Sequence, residues 1–403
     1  MESRPSPSSG NSSKEGTELR IAVTCPYFFP RIGGMENYAF NIARRLHNLC
    51  GERVLVFTSR YGSEAIENKF SELNIIWKPS LFRILSTPVN PYWLMDLSKL
   101  LKKFETTHVI THTPVPYMSE ISWLSARLTG PKFVITYHDD VIKREEFWNH
   151  VFRLYYRLIQ EKAFESADAI IATSSLMVQR SKFLKRFREK VHIIPPGVDT
   201  NIFRPDLPSD FIDKKIGYQD KRYVLFVGQM HSASTHKGVD VLIDAFKDVL
   251  EEHKDAHLVL VGDGENRSNY EKLAMNTLPR NSYTFVGNLP ASEMPLFYRG
   301  AEVTVLPSVT SEGFGMVLLE AGACARPTIG TTVGGIPAAI QHGKTGLLVP
   351  PGDSISLAKA ISLILSDDKL ARQLGNQARK RVVEQFNWDS LARKTYELLL
   401  SIQ

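Results

Sequence analysis

The stretch Ser311–Glu320 reads SEGFGMVLLE, two glutamates eight positions apart around a glycine-rich turn, and it follows the strand-like AEVTVLPS. Were the whole segment helical, eight steps of about 100° would leave the acids roughly 80° apart on the helix surface, so stacking on one face does not explain the spacing. The turn has to be part of the reason. Glycines that open a helix present backbone N–H groups and the positive end of the helix dipole, and both favour an anion. Three places have that form: Gly33 with Gly34, Gly313 with Gly315 ahead of a helix from about Met316, and Gly334 with Gly335. Lys237, in HKG directly before a helix beginning near Val239, adds an ammonium. Any one glycine pair alone is explained by a turn that needs positive φ. Several such places converging on one cleft suit a diphosphate.

Other chemistries fit the residues less well. A dinucleotide site needs a tight G-x-G-x-x-G between strand and helix, whereas the first loops read YFFPRIGGMEN and GQMHSASTHKG, and GDGENR (262–267) lacks the third glycine. The Walker A pattern and a serine nucleophile elbow are absent from the sequence. His231 and His236, five apart in a loop without a nearby acid, have weak spacing for a metal. Cys25, Cys50 and Cys324 show no C-x-x-C pattern, which argues against a zinc site or a disulfide framework and suits a reducing cytosol.

The elements that would position these groups repeat. LRIAVTC (19–25), MENYAFNIARRLHNL (35–49) and RVLVFTS (53–59) read as strand, helix and strand. The plan returns at YVLFVG (223–228), VDVLIDAFKDVLEEH (239–253) and AHLVLVGDG (256–264). Continuous apolar strands of this kind belong to parallel sheets buried on both faces. The expected fold class is therefore α/β, with two doubly wound, Rossmann-like parallel-sheet domains facing a cleft. The first spans 19–195 and the second 196–385, with the proline-rich HIIPPGVDTNIFRP (192–205) as linker. Ligands of such sheets bind outside the carboxyl ends of the strands, which places the site in the cleft.

At 403 residues, 43% hydrophobic and 23% charged, the chain has the composition of a globular protein with more than one domain. Its first 18 residues are polar and serine-rich, a disordered tail rather than a signal peptide, and no run of 18 apolar residues offers a spanning helix. Charge is uneven, with 27 basic against 19 acidic residues in 1–195 and 22 against 24 in 196–403. A basic half can face an anionic substrate or membrane; without an RNP signature, nucleic acid is not expected. LMDLSKLLKKF (94–104) and SKFLKRFREK (181–190) are basic and amphipathic, which fits a membrane surface as well as a helix with one core face and one solvated face.

The run SEGFGMVLLEAGACARPTIGTTVGGIPAAIQHGKTGLLVPPGD (311–353) resembles the nucleotide-sugar-binding segment of retaining GT-B glycosyltransferases of the GT4 family. FFPRIGGMENYAFNIARRL, TYHDD (136–140), IIPPGVD and HKGVDVLIDAF extend the resemblance over residues from about 20 to 390. By that resemblance the catalytic residues are His138, Lys237 and Glu312. Glu312 resembles the glutamate close to the donor sugar hydroxyls, and Glu320 the one that accepts both ribose hydroxyls. Between them Gly313, Phe314, Gly315 and Met316 bare N–H groups to sugar and phosphate; a carboxylate with two acceptor oxygens matches vicinal hydroxyls. Lys237 resembles the lysine on the diphosphate, and His138 the histidine near the reacting carbon. Gly33 and Gly34 resemble the loop that closes over donor or acceptor, and Val286, in VGNLP, the segment that meets the base through its backbone. Two residues depart from the pattern. Gln229 stands where an arginine is common, leaving Lys237, N–H groups, or His231 or His236 to hold the diphosphate. Pro196 stands where asparagine is common, with an expected effect on hinge stiffness.

The implied reaction is metal-independent hexosyl transfer with retention, by front-face attack, from a UDP-sugar in the first place and GDP-mannose in the second, with no cofactor. Asp139 and Asp140 do not form the metal-binding D-x-D of the other glycosyltransferase architecture. The resemblance also implies that the terminal helix, 386–403, packs back on the first domain. A nucleotide-sugar epimerase of the same architecture and a catalytically inactive nucleotide-sugar-binding subunit are the alternatives, Gln229 favouring the second. The basic stretches point to a lipid-linked hydroxyl acceptor at the cytoplasmic face of a membrane, with a soluble sugar left open.

Overall fold

The computed structural model describes residues 18–28, 33–60, 72–84, 87–138, 159–310 and 312–403. The first sheet is assembled from β1 (Ile21–Cys25), β2 (Val54–Ser59), β3 (Asn74–Lys78), β6 (His108–Thr113), β7 (Lys132–Tyr137), β8 (Ala169–Ala172) and β9 (Val191–Ile193), in the order β3-β2-β1-β6-β7-β8-β9. Between β3 and β6 an antiparallel hairpin forms from β4 (Phe82–Ile84) and β5 (Thr87–Val89). The second sheet holds β10 (Arg222–Val227), β11 (Ala256–Val261), β12 (Tyr283–Gly287), β13 (Val303–Leu306), β14 (Thr328–Thr331) and β15 (Leu347–Val349), in the order β12-β11-β10-β13-β14-β15. Every pairing within these two sheets is parallel.

Apolar residues at successive positions serve opposite faces of a strand, so a continuous run feeds two cores. In β10, Val224 and Phe226 join the core on one side, while Tyr223 and Leu225 join the core on the other. In β2, Val54 and Val56 face one way, Leu55 and Phe57 the other. Each large side chain fully buried in this way stabilises the fold by about 1.5–3 kcal/mol.

Weaker sequence signals were missed. β3 is half-exposed at the sheet edge, β4 is exposed at all three positions, and β9 has three residues, so none presents an apolar run. The expected linker begins inside β9, which contains His192 and Ile193. The 181–190 stretch is not an amphipathic α-helix. Leu184–Lys190 is a 3-10 helix broken at Phe187, with Leu184 and Phe187 in the core and Arg186 paired to Glu161. Asp139 and Asp140 lie outside the described residues.

The chain passes between the two sheets twice, and the crossings are bonded to each other. Val198 N donates to Phe386 O at 2.7 Å, and Asn387 Nδ2 to Thr200 Oγ1 at 2.8 Å. Arg45, from the Gly34–Cys50 helix, reaches Asp199 Oδ2 at 2.9 Å and Asp389 Oδ1 at 2.8 Å. The Trp388–Ser401 helix lies on that first helix, where Trp388, Leu391 and Leu399 share a core with Tyr38, Ile42 and Leu46. A Cβ on Gly197 would stand 2.8 Å from both Phe386 O and the Trp388 ring. Gly197→Ala is therefore expected to destabilise the protein by roughly 1–3 kcal/mol, read as a lowered Tm. Gly34→Ala, whose Cβ meets nothing within 4 Å, should leave Tm unchanged or raise it.

Candidate active site

Both sheets reverse their strand order beside the first strand of the domain, at β1/β6 and at β10/β13, and ligands of open α/β sheets bind at such switch points. In the second sheet, β10 ends at Val227 and leads through a 3-10 helix, Ser232–Lys237, to the Val239–Glu252 helix. Gly238 turns the corner at φ +69°, where a Cβ would lie 2.2 Å from Pro307 O, so only glycine lets the two loops touch. From the facing loop, after β13, comes Glu312. Lys237 Nζ and Glu312 Oε2 are 2.8 Å apart, and Ser308 Oγ donates to the same oxygen at 3.3 Å.

The turn after Glu312 is seated by the glycine pair at 334–335. Gly335 N donates to Glu312 O at 2.8 Å, and a Cβ on Gly334 would lie 2.0 Å from that oxygen. These two glycines therefore bring backbone onto backbone and are not a third anion cradle. Gly315 opens the Met316–Ala323 helix at φ +79°, whereas a Cβ on Gly313 would meet nothing within 4 Å. The GDG run, 262–264, has the same kind of role: Cβ atoms on Gly262 and Gly264 would strike the backbone of Gly228 and Met230.

One turn into the Met316–Ala323 helix, Glu320 Oε2 accepts from the Tyr298 hydroxyl at 2.7 Å. Burial pushes the Glu320 carboxyl up to about 7, against the opposing pull of that hydroxyl. Such a carboxyl accepts hydroxyl hydrogens when ionised and can donate one when protonated. Sequence patterns did not single out Tyr298, which comes from the Met294–Gly300 helix and is adjacent only through packing.

Across the cleft His138 follows β7, and His112, in the neighbouring β6, stands behind it. His112 Nδ1 and His138 Nε2 are 3.0 Å apart, with the rings stacked at 5.3 Å. The Tyr38 ring meets His138 edge-on at 5.0 Å, and its hydroxyl is fixed on Ile194 O at 3.1 Å. Burial lowers His138 to about 3 and carries His112 well below its usual range, so both rings are neutral and one donates to the other. Sequence reasoning missed His112; its place at the end of a strand one position from β7 was the available signal.

Lys237, Glu312, His138 and Tyr38 meet around a cleft of about 260 Å³. Gly34, Met35, Tyr38, His138 and Pro196 line one side; Lys237, Glu312, Gly313, Phe314, Gly315 and Met316 line the other. Gly33 caps the helix at its rim. Pro196 is thus a cleft residue as well as part of the crossing. Gln229 is exposed at the end of β10 and outside this lining, as are Glu320 and Val286. Val286 packs its side chain against the core from the edge strand β12. His231 is bonded to Glu265 at 2.5 Å and turned to that partner. Among the described residues no group of three His, Cys, Asp or Glu could hold a metal ion.

The histidine pair makes two kinetic expectations. With His138 neutral above about 3, turnover should show no histidine limb near pH 6.5. His112→Ala should lower kcat by about 3- to 10-fold with donor KM little changed, and His112→Asn, whose amide can still donate to His138 Nε2, should recover part of it.

Comparison with known proteins places this geometry. Residues 32–202 match the family model Glycosyltransferase Family 4, and residues 209–381 match Glycosyl transferases group 1. The O-antigen chain mannosyltransferase C of Escherichia coli is 27% identical over 93% of this chain and 96% of its own length. A GDP-mannose-dependent alpha-(1-6)-phosphatidylinositol monomannoside mannosyltransferase of Mycobacterium tuberculosis is 27% identical over 94% of this chain and 98% of its own. The structure of HepE from Anabaena in complex with UDP superposes with a TM-score of 0.77 at 21% identity, over 95% of this chain and all of that one. Two family models in tandem and two relatives matched nearly end to end leave one assignment: the chain belongs to the GT4-type glycosyltransferases and has their GT-B architecture.

Proposed function

We propose that this glycosyltransferase moves a hexosyl unit from a nucleoside-diphosphate sugar to a hydroxyl acceptor with retention and without a divalent metal. The observation that carries this reading is the Lys237–Glu312 pair, 2.8 Å across, at the switch point of the second sheet and facing His138 over the cleft. Departure of the diphosphate breaks the bond from the anomeric carbon to oxygen and leaves the electron pair on phosphate. A cation and aimed N–H groups are what that step needs. Lys237 supplies the first, and the backbone N–H groups at Phe314, Gly315 and Met316 the second. On donor entry the phosphate oxygens take the ammonium, and Glu312 is released to accept sugar hydroxyls. Neutral His138 gives a ring N–H without opposing the positive charge on the sugar ring by a charge of its own. The acceptor oxygen then bonds to the same face of the carbon, and its proton passes to the departing phosphate.

Two donor classes stand side by side. The sequence reading puts UDP-sugars first, and the HepE complex contains UDP; the Mycobacterium relative is named as GDP-mannose-dependent. That relative's named acceptor is a phosphatidylinositol mannoside, and we carry a lipid-linked glycan over as acceptor class. The test is nucleotide release from UDP-sugars and GDP-mannose, with and without lipid-linked acceptors and EDTA, with the product anomer assigned by NMR. Release that ignores the acceptor, an inverted product, or rescue of EDTA-treated enzyme by a divalent ion would each overturn part of the proposal.

Two substitutions check the residues. Lys237→Ala should reduce donor turnover by at least about tenfold while Tm moves little, because the cation acts on phosphate. Glu320 has a folded pKa near 7, above its ordinary 4.5, so the folded state holds the proton in that window. Stability should fall as pH rises from 4.5 to 7, and Glu320→Gln should remove that slope. Donor binding requires the ionised acceptor. Affinity for the intact nucleotide sugar should weaken about tenfold per unit below 7 in the wild type and stay flat in Glu320→Gln.

A further inference from the structure

Every strand of the second sheet is parallel, so its amino ends share one edge, opposite the loops that form the candidate active site. A cavity of about 540 Å³ lies at that amino edge. Arg222 opens β10, Glu302 directly precedes β13, and Arg326 stands two residues before β14. Arg299, from the Met294–Gly300 helix, and Asp368 and Arg372, from the Asp368–Gln385 helix, complete its charged lining. A cavity of this size holds a small organic molecule.

The arginines there are not all satisfied by the protein. Arg222 is: its Nε donates to Asp255 Oδ2 at 2.7 Å and its Nη2 to Asp255 Oδ1 at 2.9 Å. Arg326 Nε donates to Arg299 O at 2.8 Å, and its Nη1 reaches Glu302 Oε2 only at 3.5 Å. Arg299 Nε is buried and has no hydrogen-bond partner among the described residues. Burial lowers Arg326 below its ordinary value; Glu302 opposes that shift and the neighbouring Arg299 charge adds to it. Three guanidinium groups, from Arg299, Arg326 and Arg372, thus share a cavity with two carboxylates, and one of them keeps a buried N–H unused. Guanidinium forks match phosphate oxygens, and a carboxylate beside them accepts hydroxyl hydrogens. A phosphomonoester that also bears hydroxyls meets both requirements.

Two helices lead from this cavity to Glu320. Arg299 is the neighbour of Tyr298 on one, and Arg326 follows the Met316–Ala323 helix that carries Glu320. The bond from Arg326 to Arg299 O joins their ends at the cavity, and the Tyr298 hydroxyl joins the same two elements again at Glu320. A Cβ on Gly375 would stand 2.3 Å from Ala325 O, so the Asp368–Gln385 helix is seated on the same corner.

We propose that this cavity is a regulatory site for a hydroxylated phosphomonoester, its phosphate held by Arg299, Arg326 and Arg372 and its hydroxyls by Glu302 and Asp368. Occupation ties the two helix ends together and tightens donor binding through the Tyr298–Glu320 contact. The site itself does not depend on the transferase reading, whereas its coupling to the donor rests on it. Calorimetry on the full chain tests the site with mannose 6-phosphate, inorganic phosphate and mannose. Mannose 6-phosphate should bind and mannose should not. Lys237→Ala, which removes the cation of the other cleft, should leave that affinity unchanged. Arg372→Glu, at an exposed position where folding is not at stake, and Arg299→Gln should each weaken it by about tenfold. Inorganic phosphate binding as tightly as mannose 6-phosphate supports the anion cradle and overturns the role of Glu302 and Asp368. No binding of either phosphate, or binding that Lys237→Ala abolishes and Arg372→Glu leaves intact, overturns the site. With mannose 6-phosphate saturating, affinity for UDP or GDP, whichever binds, should rise about fivefold in the wild type and not in Arg372→Glu. An unchanged or weakened nucleotide affinity overturns the coupling, and a wild type that binds neither nucleotide strikes the transferase reading instead.

Discussion

The structure depends on two loops of the second domain being able to touch. Lys237 and Glu312 form one ion pair only because Gly238 passes against Pro307 and because Gly334 and Gly335 admit the backbone of Glu312. A methyl group at any of these three glycines would meet a main-chain oxygen at about 2 Å. Side chains at one in five and one in seven exposure are screened less than surface pairs. The pair holds a cation and a carboxylate side by side at the cleft.

Desolvation acts in opposite senses on the titrating groups at and behind the cleft, and both senses favour neutral side chains. It raises Glu320 and lowers His112 and His138. The carboxylate that lines the cleft, Glu312, is paired with Lys237. Tyr298 and His112 hold their partners by single hydrogen bonds, one on each side of the cleft. Tyr38 links this chemistry to the crossing of the chain, since it touches His138 on one side and Trp388 of the returning helix on the other. Movement of one sheet against the other would pass through those contacts.

Exposed apolar side chains on the first domain have a different physical status from the exposed apolar residues scattered elsewhere. Leu81, Phe82 and Ile84 lie on or beside a strand exposed at all three positions, and Met95 precedes the exposed Lys99, Lys102 and Lys103 on a helix whose acid, Asp96, is paired with Lys78. No helix among the described residues is long and apolar enough to cross a membrane.

Apolar runs with period-two burial on both faces determined the two parallel sheets from the sequence alone, because such runs have no other stable environment in water. E-x7-E around GFG, with HKG before a helix, likewise placed a turn and two helix starts, because local chain geometry sets a turn and its helix, while the donor roles of these residues were implied by the resemblance. The weakly patterned pieces were legible only after folding: β3, the exposed hairpin, β9 and the 3-10 helix at 184–190, whose residues are chosen by neighbours rather than by periodicity. The same holds for the glycines at 334–335, read as an anion cradle and found to be a seat for backbone. His112 beside His138, Tyr298 on Glu320 and Pro196 in the cleft were decided by tertiary structure, since each pairing joins residues whose spacing along the chain carries no local signal.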